Sequence, residues 1–279
     1  MISVRAQATL LLTFAIMACT WGSLVLFHLP GGSLRTGQAP SAIGLILLLV
    51  GGASPSLAAV TVSGAVAGSA GLSDLWRRCV AVRLDWRSYA AIAGIPLLAA
   101  GATVAARLAR GADLQIHPFG LSAAGLLVFA VLAFLTGPVG EELGWRGVVL
   151  HDALSVMRPL TAAVLLGVVW ACWHLPLFFV AGTTQQLWGH PLSDFALFGM
   201  KTVALSILLA WLYIRTNRSI WAVILLHFTA NIVASLFARA IDGTRLDRAV
   251  DTACYVLLAL LVTSLRWAPA EADAPLVDG

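Results

Sequence analysis

Three short polar clusters interrupt the apolar second half of this 279-residue sequence, and their chemistry suits hydrolysis. The first is Glu141-Glu142-Leu143-Gly144-Trp145-Arg146, the second Trp170-Ala171-Cys172-Trp173-His174, the third His227-Phe228-Thr229-Ala230-Asn231. A carboxylate or an imidazole can take a proton from water. Neutral or charged donors can hold the oxyanion that forms when water attacks a carbonyl. Alternatively, Glu and His side chains can ligate a metal ion that acidifies the water. The sequence has no His-Glu-x-x-His motif, so the ligands of such an ion would come from separate helices.

Each cluster also has a plainer reading. Glu142 and Arg146 are four apart, so they can pair on one helix face, as at an exposed helix end. That leaves Glu141 turned toward some other neighbour. A lone histidine such as His174 is often a packed, hydrogen-bonded residue. Asn231 could serve as helix–helix glue, a role that suits His227 less well. One carboxylate, two imidazoles and an amide together fit water activation better than three unrelated structural roles do. His28, His117 and His190 fall at span ends or in loops, and His151-Asp152 reads as decoration of the membrane interface.

The elements that must position these groups are membrane helices. Hydrophobic residues make up 60% of the chain and charged residues 11%, and the mean hydropathy is +0.92. A soluble domain carries about 25% charged residues. The composition excludes disorder, a collagen-like fibre and a disulfide scaffold. The net charge of +4 comes from 17 basic residues, all arginine except Lys201. They are spread between apolar blocks and form no nucleic-acid-binding domain. Cys19, Cys79, Cys172 and Cys254 show no paired spacing and read as small buried hydrophobes.

The expected fold is all-α, a polytopic membrane bundle of about eight spans, each of roughly 20 apolar residues. We place them near residues 8–29, 41–68, 88–107, 121–139, 160–180, 194–214, 219–239 and 250–265. Pro55 predicts a kink or break in the second. Residues 1–120 form the N-terminal helices, with a basic interfacial helix near 72–87. Residues 121–240 form the core that carries the three clusters, 241–267 the last span, and 268–279 a disordered tail. The arginine bias sets both termini in the cytoplasm of a cell-membrane protein. Glu141 then falls at the end of the fourth span, whereas His227 and His174 lie deeper. A water-filled cavity open to the cytoplasm would reconcile them.

The three clusters resemble the motifs of the CPBP family, which includes the type II CAAX prenyl endopeptidases and bacteriocin-processing proteins. That pattern is Glu-Glu-x-x-x-Arg, then aromatic-x-x-x-His, then His-x-x-x-Asn. Here it reads Glu141, Glu142 and Arg146; Trp170 and His174; His227 and Asn231. Phe is commoner than Trp at the aromatic position. The resemblance covers about residues 121–236. It implies an intramembrane endopeptidase acting on a membrane-associated peptide or protein in the lipid bilayer. In that reading Glu141 and His174 activate water, and His227 and Asn231 stabilise the oxyanion. Glu142, Arg146 and Trp170 support the site. The resemblance leaves two versions open: a metal-free glutamate mechanism, or a zinc-dependent one with Glu141, His174 and His227 as ligands. The alternative function is a non-catalytic membrane scaffold or bacteriocin-immunity protein that binds a peptide in the same cavity.

Overall fold

The computed structural model describes residues 2–31, 41–112, 122–186, 191–240, 244–265 and 267–269. Among these residues every regular element is a helix, and the expected all-α polytopic bundle is borne out. Six helical stretches are long and apolar enough to cross a membrane: Val4–Leu26, Ser54–Cys79, Trp86–Ala109, Ala123–Ala153, Pro159–Phe179 and Leu192–Arg215. Ala42–Gly52 and Ile220–Leu236 are shorter apolar helices. The residues 270–279 of the expected tail, together with His117 and His190, lie outside the described residues.

α1 (Val4–Leu26) is capped by Ser3, whose hydroxyl accepts the Ala6 N–H. α2 (Ala42–Gly52) and α3 (Ser54–Cys79) are separated at Ala53. Pro55 fits the first turn of α3, where a missing N–H costs nothing, and so the predicted break falls just before it. α3 bends again at Gly68, whose φ of +58° is open to glycine. Beyond that bend the helix ends at Cys79, and Val80 to Asp85 are non-helical. The expected basic helix over 72–87 is therefore interrupted: its first half is the end of α3, and Asp85 caps α4 (Trp86–Ala109).

The largest correction concerns the fourth span. It does not end at Val139 but runs from Ala123 to Ala153, 31 residues. It begins as α5 (Ala123–Phe134) and passes through a π-helical turn, Leu135–Val139, into α6 (Gly140–Gly144). A second π-helical turn, Trp145–Leu150, leads to α7 (His151–Ala153). Pro138 has no N–H to give and disturbs α-helical bonding, which suits the wider first turn. The Ser56 hydroxyl donates to the Val139 carbonyl there, 2.7 Å away. Glu141 thus sits well inside a helical stretch long and apolar enough to cross a membrane, not at its end.

α8 (Pro159–Trp173) ends where Pro176 forbids continuation, and a 3-10 turn, Leu175–Phe179, follows. α9 (Pro191–Arg215), α10 (Ile220–Ala240) and α11 (Arg245–Thr263) complete the chain. The N-terminal helices pack directly on the core. A β-carbon on Gly144 would meet the Pro55 carbonyl oxygen at 2.4 Å, so only glycine lets α3 lie this close to α6. Trp21 of α1 stacks on Trp173 at 4.4 Å between ring centroids.

Charged pairs collect at the two helix ends. Arg5–Asp152, Arg78–Asp74 and Arg215–Asp85 lie at one, Arg107–Asp247 and Arg110–Asp247 at the other. Two expectations fail here. Asp152 is buried and bound to Arg5 and Ser3, so it is no surface decoration. Cys19 and Cys172 are exposed on the helix surface and are not buried.

Candidate active site

The site is built where α6, α8 and α10 meet. Adjacent residues on α6 point about 100° apart, so the two glutamates find different partners. Glu142 Oε1 accepts from Arg146 Nη1 at 3.0 Å and from His227 Nδ1 at 2.7 Å. The expected Glu142–Arg146 pair is therefore present, but it is fully buried and not an exposed helix-end pair. Glu141 turns to α8, where Trp170 Nε1 donates to its Oε2 at 2.6 Å.

His174 is not inside a regular helix, as the span reading implied. It caps the C-terminus of α8. Its Nδ1 lies 2.9 Å from the Trp170 carbonyl oxygen. A carbonyl only accepts, so Nδ1 carries the proton and Nε2 is left with its lone pair. The ring is walled by Trp173 at 4.7 Å and Phe198 at 5.1 Å, with Trp21 at 6.3 Å. α1 and α9 therefore shape the site without supplying a motif residue.

His227 stands with its ring edge-on to Trp170 at 5.1 Å. Asn231 lies one turn further along α10 and is half-buried. A β-carbon on Gly137 would come within 3.3 Å of its amide, so the first π-helical turn presents its least bulky residue there. The structure thus joins Glu141, Glu142, Arg146, Trp170, His174 and His227 in one contact network, with Asn231 at its margin against Gly137.

Burial is extensive. Glu141, His174 and His227 are 5%, 9% and 3% exposed. Glu142 Oε2 and the Nε and Nη2 atoms of Arg146 have no hydrogen-bond partner among the described residues. Buried polar atoms without a partner call for water or a ligand. The Arg146 guanidinium instead lies over the Trp170 ring, 4.5 Å from its centroid. An apolar groove of about 680 Å³ between α9 and α11, flanked by Leu197, Met200 and Leu246, is lined by none of these residues.

Glu141, His174 and His227, the zinc set implied by the resemblance, are not drawn together here as ligands of one ion. Among the described residues no three of His, Cys, Asp and Glu gather as ligands for one ion. The engaged atoms are His227 Nδ1, His174 Nδ1 and Glu141 Oε2. The chemistry below is therefore derived from side chains alone.

The motif resemblance gives Trp170 a supporting role but not the contact through which it acts. An indole N–H in a motif beside an unpaired glutamate was the available signal. Gly137 carries no such signal, since a glycine before a proline reads as a helix breaker.

Residues 123–233 match the family model described as type II CAAX prenyl endopeptidase Rce1-like. The resemblance drawn from the three motifs is borne out over the stretch that carries them. The chain is also similar to a CAAX prenyl protease 2 of Methanococcus maripaludis, 28% identical over 123 residues. That alignment covers 44% of each protein, so the chain spans under half the length of the curated relative it matches.

Proposed function

We propose that this protein is an intramembrane endopeptidase that hydrolyses a peptide bond in a membrane-associated peptide or protein. The observation that carries the reading is the convergence of the Glu141, His174 and His227 segments, from three separate helices, on Trp170.

Water sits between Glu141 and the Nε2 lone pair of His174, and Glu141 takes its proton as the oxygen attacks the carbonyl carbon. The carbonyl oxygen becomes an oxyanion. His227 and the Asn231 amide donate to it. For His227 to donate from Nε2 while Nδ1–H faces Glu142, the ring carries both protons, and the Glu142 carboxylate balances its charge. The tetrahedral species collapses as the C–N bond breaks, and Glu141 returns its proton to the departing nitrogen. Glu142 and Arg146 touch no reacting atom in this scheme and hold His227 in place. The name of the archaeal relative makes prenylated C-terminal peptides the first substrates to try. The arginine bias puts both termini and the entrance to the site on the cytoplasmic side of the cell membrane.

The test uses purified protein in lipid vesicles with fluorogenic membrane peptides, prenylated and not. Glu141→Ala and His174→Ala are each expected to lower turnover by about 10²–10⁴-fold. Equal cleavage by wild type and both variants refutes the assignment. Peptide binding with no cleavage by any of the three would favour the scaffold reading.

A further inference from the structure

We propose that Trp170 is the positioning residue of this site, its indole N–H holding Glu141 by one carboxylate oxygen so that the other is the one that meets water. The inference rests on the hydrolase reading above and assigns a task to a side chain that touches no substrate.

The argument starts from where the bond lies. Glu141 is on α6 and Trp170 on α8, so the 2.6 Å contact between Nε1 and Oε2 ties two helices together at the reacting group. Both residues are buried. Among the described residues this is the one side-chain hydrogen bond that Glu141 makes, and Oε1 is left open. A glutamate with neither oxygen held can swing about three torsions, and one with both held has no lone pair to offer. A single donor fixes the orientation and keeps a base.

The donor is itself immobilised. The Arg146 guanidinium covers the indole at 4.5 Å, and the His227 ring abuts it edge-on at 5.1 Å. The same residue's carbonyl takes the His174 Nδ1–H at 2.9 Å. Turning the indole away would break the bond to Glu141 and the stack with Arg146 together. An indole has only two side-chain torsions to freeze, so it holds direction at small entropic cost. Trp170 therefore sets the angle of the base through its side chain and the tautomer of His174 through its main chain. Any residue could supply the second, and only a donor of this reach supplies the first.

The experiment replaces Trp170 with 3-benzothienylalanine, which keeps shape and area and puts sulfur where the N–H was, alongside Trp170→Phe. On a reporter peptide cleaved by wild type, both variants should lose about 10- to 100-fold in kcat with KM within about twofold. In a Glu141→Gln background the same replacement should cost nothing further. The indole N–H vibration of Trp170, isolated as the difference between wild type and Trp170→Phe, should shift in Glu141→Gln, a readout that needs no turnover. Wild-type kcat in the benzothienyl variant, or an unshifted N–H band in Glu141→Gln, overturns the proposal. If Glu141→Gln is dead while the benzothienyl variant is fully active, the tether alone falls. If Glu141→Gln cleaves like wild type, the hydrolase reading falls with it.

Discussion

Glu142 and Asp152 are buried carboxylates ten residues apart on one membrane crossing, and they are satisfied in opposite ways. Asp152 uses both oxygens: Arg5 donates to each of them, and the Ser3 hydroxyl joins at Oδ2. Arg78, His151 and Tyr213 stand in mutual contact beside it. Glu142 crowds His227 and Arg146 onto one oxygen and leaves the other without a protein partner. Asp152 leaves neither oxygen open, and an open one would cost stability in lipid. Beside Glu142, Glu141 has one oxygen to spare, so the two neighbouring carboxylates leave acceptors open on the same stretch of helix. Burial does not separate Glu142 from Asp152, since both are buried; their hydrogen bonding does.

Substitutions can test that contrast. The largest effect is expected at Glu142. Glu142→Ala strands Arg146 and His227 and should cost about 3–5 kcal/mol of stability. Cleavage should fall at least about 100-fold, as for loss of an oxyanion donor. Denaturation in detergent and the reporter assay measure the two. A stable, active variant would erase the distinction. Gly137→Ala sharpens it at smaller scale. Alanine's helical advantage over glycine, about 1 kcal/mol, is offset by the crowding of a β-carbon just before Pro138, so stability should change little. The added methyl presses on Asn231, and kcat should drop about tenfold. The smallest effect on chemistry belongs to Asp152→Asn. It should lose about 1.5–3 kcal/mol of stability with the charged hydrogen bonds to Arg5, while kcat of the folded fraction stays within about twofold. A collapse of kcat there would mean that the closed cluster also serves the reaction.

Much of this was legible in the residues. Apolar blocks gave the helices, Pro55 the break, and the four-residue spacing of Glu142 and Arg146 their pairing. The motif residues were readable because ionisable groups are rare enough in such helices to stand out. What escaped has physical reasons. A π-helical turn is a hydrogen-bond shift that leaves no pattern in hydropathy, so the fourth span was ended at Pro138-Val139 when it bends and continues. Asp152 looked superficial because its partners, Ser3 and Arg5, lie nearly 150 residues away in sequence. Gly68 was one glycine among many in an Ala/Gly/Ser run, and nothing local singles out the one that takes a positive φ. The bond from Trp170 to Glu141 depends on how α8 rotates against α6, which no spacing within either helix encodes.

The wide turn Trp145–Leu150 has a mechanical meaning. It lies between two stations of a single rod: the glutamates, which must look inward to α8 and α10, and Asp152, which must look toward the start of the chain. One residue of an α-helix advances the azimuth by about 100°. The wide turn acts as a phase coupling, letting both stations face their partners although an unbroken α-helix would mis-aim one of them. Excising one residue there, so that the turn tightens, would rotate Asp152 out of alignment with Arg5 while leaving every side chain around Glu142 chemically intact.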